Sequence, residues 1–252
     1  MESEQTKLNL NPEQLQELTR RTIGHYEFNA ERYCVGTADH DVSQNYAALL
    51  DAIETEKPFK ILDLGCGPGR DLKYLKSLGH IPVGVDGSET FVEVATKLSG
   101  CVVYHMDFIK LDLPQVEYDG IFANATLFHT PRQEINRVMI ELYDSLKERG
   151  VLFCSNPRGN NQEGFSGERY GFYYDWNTCK QICLDSGFEE IKHFFRTRWN
   201  FTIYHTDTTW CHCYSSKKLE LSYNFILLWY LHQHIERKQM IDIFHTFHCL
   251  SE

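Results

Sequence analysis

Residues 60–71 read Lys-Ile-Leu-Asp-Leu-Gly-Cys-Gly-Pro-Gly-Arg-Asp, and this stretch constrains the chain more than any other. An apolar run ends at Asp63-Leu64 and breaks into the alternating glycines Gly65, Gly67 and Gly69; the Leu-spaced, charged pattern after Arg70 is helical. Strand, glycine turn and helix make the first βα unit of a doubly wound sheet, in which ligands bind at the carboxyl ends of the strands. A phosphate-binding loop requires Gly-Lys-Ser/Thr, which is absent. The turn also departs from the dinucleotide pattern GxGxxG. An acidic residue precedes it and a proline lies inside it. A carboxylate there repels pyrophosphate and suits a cationic ligand.

A second acid supports a nucleoside ligand. Asp86 ends the next strand pattern, Val83-Gly-Val-Asp, 21 residues after Gly65. At that spacing a carboxylate accepts hydrogen bonds from ribose hydroxyls, although an aspartate there can also cap the next helix.

The pattern along the chain predicts helices at 12–33 and 42–55, then strand 60–64, helix 69–78, strand 81–85, helix 88–98 and strand 101–105. Strand 118–123, helix 132–148, strand 150–155, a long loop at 156–174, helix 175–186 and strands near 188–196 and 207–215 complete it. Alternation of this kind predicts an α/β fold: a doubly wound, mostly parallel, seven-stranded Rossmann-like sheet with an antiparallel edge hairpin. The divisions are an N-terminal helical lid at 1–56, a core at 57–215 and a C-terminal extension at 216–252.

A net charge of −10 leaves no basic footprint for nucleic acid or anionic membrane, so the expected partner is a small molecule. The N-terminus lacks the apolar stretch of a signal peptide, and no apolar run reaches membrane-spanning length. The nine cysteines are odd in number and scattered, which reads as reduced thiols in a cytoplasmic protein. Cys211, His212 and Cys213, with His232, His234, His245, His248 and Cys249, lack zinc-finger spacing, so no metal is expected. The apolar residues of the extension need cover, and a homodimer contact there is one way to provide it.

With Asp63 and Asp86 beside it, the glycine turn resembles motif I of class I methyltransferases that use S-adenosylmethionine (SAM) and release S-adenosylhomocysteine. The resemblance implies that the cofactor is held by Asp63, Gly65, Gly67, Gly69, Arg70 and Asp86. It implies that Asp107 accepts from the adenine amino group between Met106 and Phe108. Ala123 and Asn124, ending the fourth strand, would face the methionine end, and His129 would lie near the reacting methyl.

A narrower resemblance rests on Ser155-Asn-Pro-Arg-Gly-Asn-Asn-Gln-Glu-Gly-Phe and Gly167-Glu-Arg-Tyr-Gly. Gly24-His-Tyr-Glu-Phe-Asn-Ala-Glu, Thr37-Ala-Asp-His-Asp-Val-Ser-Gln-Asn and Asp119-Gly-Ile-Phe-Ala-Asn-Ala-Thr-Leu-Phe-His agree with it. Over residues 16–215 the chain resembles the methyltransferase domain of ovothiol biosynthesis, which methylates a ring nitrogen of 5-thiohistidine. This implies a small-molecule N-methyltransferase. Candidates to orient the ring are His129, Asn124 and Asn156. Arg158 is the candidate for the substrate carboxylate, because guanidinium binds carboxylate bidentately. Tyr170 and Tyr174 are candidates to close over the ring, and Tyr26 and Tyr33 to form the lid. The proline-rich approach to the last strand usual in that family is missing, with Trp199-Asn-Phe-Thr-Ile-Tyr-His in its place. Methylation of another small imidazole, amine or thiol, or SAM binding without catalysis, remain alternative readings.

Overall fold

The computed structural model describes residues 9–196 and 210–217. A seven-stranded sheet runs through it in the order β3-β2-β1-β4-β5-β9-β8. Five neighbouring strands are parallel: β1 (Lys60–Leu64), β2 (Ile81–Asp86), β3 (Val102–His105), β4 (Tyr118–Asn124) and β5 (Leu146–Pro157). Two antiparallel strands, β8 (Phe188–Arg196) and β9 (Trp210–Lys217), complete the sheet as the expected edge hairpin, with β9 inserted between β5 and β8.

Alternation along β1 divides the core between two faces. Leu62 and Leu64 pack in one cluster with Val138, Met139 and Leu142 of helix α6 (Ile135–Ser145). Ile61 points the other way, into a cluster with Tyr46 and Leu49 of α3 (Ser43–Leu50), Leu75 of α4 (Arg70–Ser77), Phe122 and Phe153. Helices α5 (Glu89–Ser99) and α7 (Trp176–Asp185) complete the layers.

Two elements differ from the sequence reading. The expected helix 12–33 is divided into α1 (Pro12–Phe28) and α2 (Ala30–Thr37). Asn29 causes the break: its side-chain amide donates to the His25 carbonyl at 2.8 Å and competes with continuation of the helix. The expected loop 156–174 contains a β-hairpin, β6 (Gln162–Ser166) paired with β7 (Arg169–Tyr173). Its turn is the two residues Gly167-Glu168, with Gly167 at φ +64°, where glycine is favoured. No helix among the described residues is long and apolar enough to cross a membrane. Residues 218–252, which hold the expected dimer contact, lie outside the described residues, as do the side chains of Cys211, His212 and Cys213 and the approach at 199–205.

Candidate functional site

The strand order reverses between β1 and β4, and a cavity of about 690 Å³, open mouth included, lies over the carboxyl ends there. Its floor comes from the strand ends: Gly65 and Gly67 after β1, Asp86 and Gly87 at the end of β2, Met106, Asp107 and Phe108 after β3, and Ala125 and Thr126 after β4. Thr19, Thr22, Ile23 and Tyr26 of α1 cover it, joined by Tyr33 of α2. This size and mixed lining suit a small molecule.

The glycine turn is shaped by contact. Gly65 has φ +68°, and a Cβ on it would lie 2.0 Å from Thr126 Oγ1. Gly69 serves close packing, with Ala95 Cα 2.7 Å from a virtual Cβ, and is not in the cavity wall.

Asp86 is held by two backbone donors, Gly67 N–H to Oδ2 and Ser88 N–H to Oδ1, both at 2.8 Å. Burial outweighs these bonds and lifts its carboxyl to about 6. Its oxygens keep lone pairs for further donors, so the ribose and capping readings are compatible. Asp107 accepts from Ile109 N–H at 3.1 Å and lines the wall with Met106 and Phe108. Asp63 is buried below the turn with Oδ2 unpartnered; burial, reinforced by Asp71 and Asp86, pushes its carboxyl well up.

At the opposite end stands His129. Its Nδ1 is 2.6 Å from the Tyr170 carbonyl, which can only accept, so Nδ1 carries the hydrogen. Nε2 is then a lone pair and accepts from the Tyr26 hydroxyl at 2.7 Å. Burial takes this imidazole down to about 4, so it is neutral at physiological pH. Tyr26 packs edge-on against both His129 and Tyr33, with ring centroids 5.4 Å apart in each case. Burial raises both phenols, Tyr33 to about 12.

The remaining predicted residues do not line the cavity. Asn124 is a hub: its Oδ1 accepts from Asn45 Nδ2 at 2.9 Å and Ser155 Oγ at 2.7 Å. Ala123 is fully buried in β4. Arg70 binds Asp71 and the Thr37 carbonyl, each at 2.7 Å, and so ties α4 to α2. Asn156 is buried, accepts from Phe128 N–H at 3.1 Å, and leaves Nδ2 unpartnered. Tyr170 and Tyr174 pack in the core with Phe172, and the Tyr170 hydroxyl donates to Glu163 at 2.5 Å. Their rings are therefore turned away from the position expected of a substrate cover. Arg158 is exposed, 5.1 Å over the Phe195 ring.

Sequence reasoning named Tyr26 and Tyr33 of this cover and missed the rest of the α1 wall, Thr19, Thr22 and Ile23. Thr19, Thr22, Ile23 and Tyr26 sit at helical spacing, which marks a buried face but not what that face covers.

Residues 62–154 match the family model described as a methyltransferase domain. The matching segment runs from within β1 to within β5, so it includes part or all of each parallel strand and the glycine turn. That segment is a methyltransferase domain, in a chain with the class I SAM-dependent fold. An uncharacterized methyltransferase from Oceanobacillus iheyensis is 24% identical over 123 residues, 48% of this chain and 58% of that one. Arsenite methyltransferase from Mus musculus is 30% identical over 139 residues, 46% of this chain and 35% of that one. The chain spans about half the length of the curated relatives it matches. Among solved structures, the 1,6-didemethyltoxoflavin-N1-methyltransferase of Burkholderia thailandensis, bound to 1,6-didemethyltoxoflavin and S-adenosylhomocysteine, aligns with a TM-score of 0.68. It is 15% identical, and the alignment covers 84% of this chain and 94% of that one.

Proposed function

We propose that the chain transfers a methyl group from SAM to a ring nitrogen of a small heterocycle, 5-thiohistidine being the acceptor its sequence blocks favour. The residues present suit the cofactor. Asp63, buried beneath the glycine turn and outside the cavity wall, leaves Oδ2 without a donor and would favour a cationic head above the turn through the backbone it underlies. Asp86 offers acceptor capacity for ribose hydroxyls, and Met106, Asp107 and Phe108 form a wall with one polar group for the adenine. Bound SAM supplies a methyl carried on a sulfonium, and the thioether S-adenosylhomocysteine is left when the methyl moves to the acceptor's lone pair.

The observation that carries the nitrogen assignment is the state of His129. An imidazole held near 4 is a poor base for stripping an alkylammonium at neutral pH. It can fix Tyr26: Nε2 takes the hydroxyl hydrogen, and the Tyr26 oxygen can then accept from the N–H of an acceptor ring whose other nitrogen carries the lone pair. An imidazole-type acceptor meets that requirement. The Burkholderia thailandensis structural neighbour is an N1-methyltransferase of 1,6-didemethyltoxoflavin, in line with this reading. Orientation of the acceptor under α1 supplies up to about 7–11 kcal/mol in well-aligned cases.

The test is direct. The protein is incubated with SAM and 5-thiohistidine, and the product is mapped by fragmentation mass spectrometry. One methyl on a ring nitrogen is the expected result. Turnover of an unrelated acceptor with none of 5-thiohistidine would refute the substrate; a methyl on sulfur would refute the orientation argument.

A further inference from the structure

The wall at the His129 end carries no charge. His129 is neutral, Tyr26 is a phenol, and the acceptor proposed above has a carboxylate. The nearby arginines are mostly committed. Arg21 bonds Glu168 at 3.0 Å and lies 4.0 Å over Phe165. Arg70 is bound to Asp71, and Arg132 sits 5.2 Å over the Phe172 ring. Arg158 faces outward.

Arg169 is different. It precedes Tyr170, whose carbonyl fixes His129 and whose N–H donates to Thr22 Oγ1 at 3.0 Å. Both backbone polar groups of Tyr170 are thus held by residues of the cavity wall. Arg169 is partly buried and forms no ion pair with a described residue. Its guanidinium lies against the Tyr26 hydroxyl, and its charge lowers Tyr26, His25 and His129 alike. It lies behind Tyr26 and His129, outside the cavity wall itself, and reaches the site through the Tyr26 hydroxyl, which also faces Asp86.

The strand face supports a ligand there. Tyr170 and Phe172 are buried, so by alternation Arg169, Gly171 and Tyr173 share the opposite face of β7. A Cβ on Gly171 would be 2.7 Å from the Tyr173 ring, so that ring lies back over the glycine towards Arg169. Arg169 and Tyr173 both act on the Tyr26 hydroxyl from outside the cavity wall.

We propose that Arg169 binds the carboxylate of the methyl acceptor, so that the site selects anionic heterocycles over their decarboxylated counterparts. The proposal rests on the function proposed above and replaces Arg158 in the carboxylate role. Arg169 is a substrate-binding residue and takes no part in bond making.

The test titrates the protein, loaded with S-adenosylhomocysteine, with 5-thiohistidine and with its decarboxylated amine by calorimetry. Wild type should bind the acid the more tightly. Arg169→Gln should weaken the acid by roughly 10- to 100-fold, the effect of losing a charged hydrogen-bond pair, and leave the amine within about 2-fold. Arg169→Lys should recover part of the loss, because charge returns without the planar fork. Equal weakening of both ligands, or of neither, would overturn the proposal, since a general disturbance of Tyr26 affects both. Arg169-dependent binding of the acid without methylated product would support the carboxylate site and reject the methylation reading.

Discussion

Replacing Gly65 with alanine tests the geometry of the turn most sharply. Two costs are separable. An L-residue at φ +68° costs about 1–2 kcal/mol. The new methyl would also lie 2.0 Å from Thr126 Oγ1 and 2.9 Å from Thr126 Cβ, and this overpacking adds about 1–3 kcal/mol. Thr126 is buried and cannot swing clear. Together these reach about 2–5 kcal/mol, a large share of an ordinary domain's stability. Thr126→Gly removes both close atoms and leaves the backbone angle unchanged. In a double-mutant cycle read by chemical denaturation, Gly65→Ala with Thr126→Gly should recover only the packing part, a favourable coupling of about 1–3 kcal/mol. A Gly65→Ala protein as stable as wild type, or a double variant showing simple additivity, would refute the reasoning.

Two further outcomes follow from the cavity wall. Asp86→Asn should weaken SAM binding by roughly 10- to 100-fold in calorimetry and lower the melting temperature somewhat, since the single amide oxygen can accept from only one of Gly67 N–H and Ser88 N–H; an unchanged Kd would reject the ribose role. His129 titrates at about 4 in the fold against an ordinary 6.5, so the unfolded chain takes up the extra proton first as pH falls. Stability is then full above about 6.5 and declines towards 4, with about 2 kcal/mol gone by pH 5. His129→Asn should remove that part of the pH dependence in denaturation midpoints, and an unaltered slope would contradict a buried neutral imidazole.

The sheet was legible because local patterns carry it. Each parallel strand is a short apolar run bounded by a turn, and each intervening helix has its own period. The floor of the cavity was legible for the same reason, since Gly65, Asp86 and Asp107 follow strands directly. Contacts between distant segments were not. Tyr26 meets His129 across 103 residues, and nothing near either one marks the other. The hairpin at 162–173 had a local signal in Ser166-Gly-Glu flanked by alternating residues, but its many glycines and polar residues also suit a loop. Arg158 drew attention because it follows a strand in a distinctive block. The proposed role of Arg169 had no such local signal, because the hairpin meets α1 only through the fold.

The insertion of β9 between β5 and β8 has a consequence for synthesis. In the sheet, β8 is bonded only to β9, a strand made later. A nascent chain can pair β1 to β5 as they emerge, in the manner of domains that fold from the N-terminus. β8 must wait, with both hydrogen-bonding edges unpaired, until Lys217 has left the ribosome. The stretch between the two strands then sets how long the edge that pairs with β9 stands exposed.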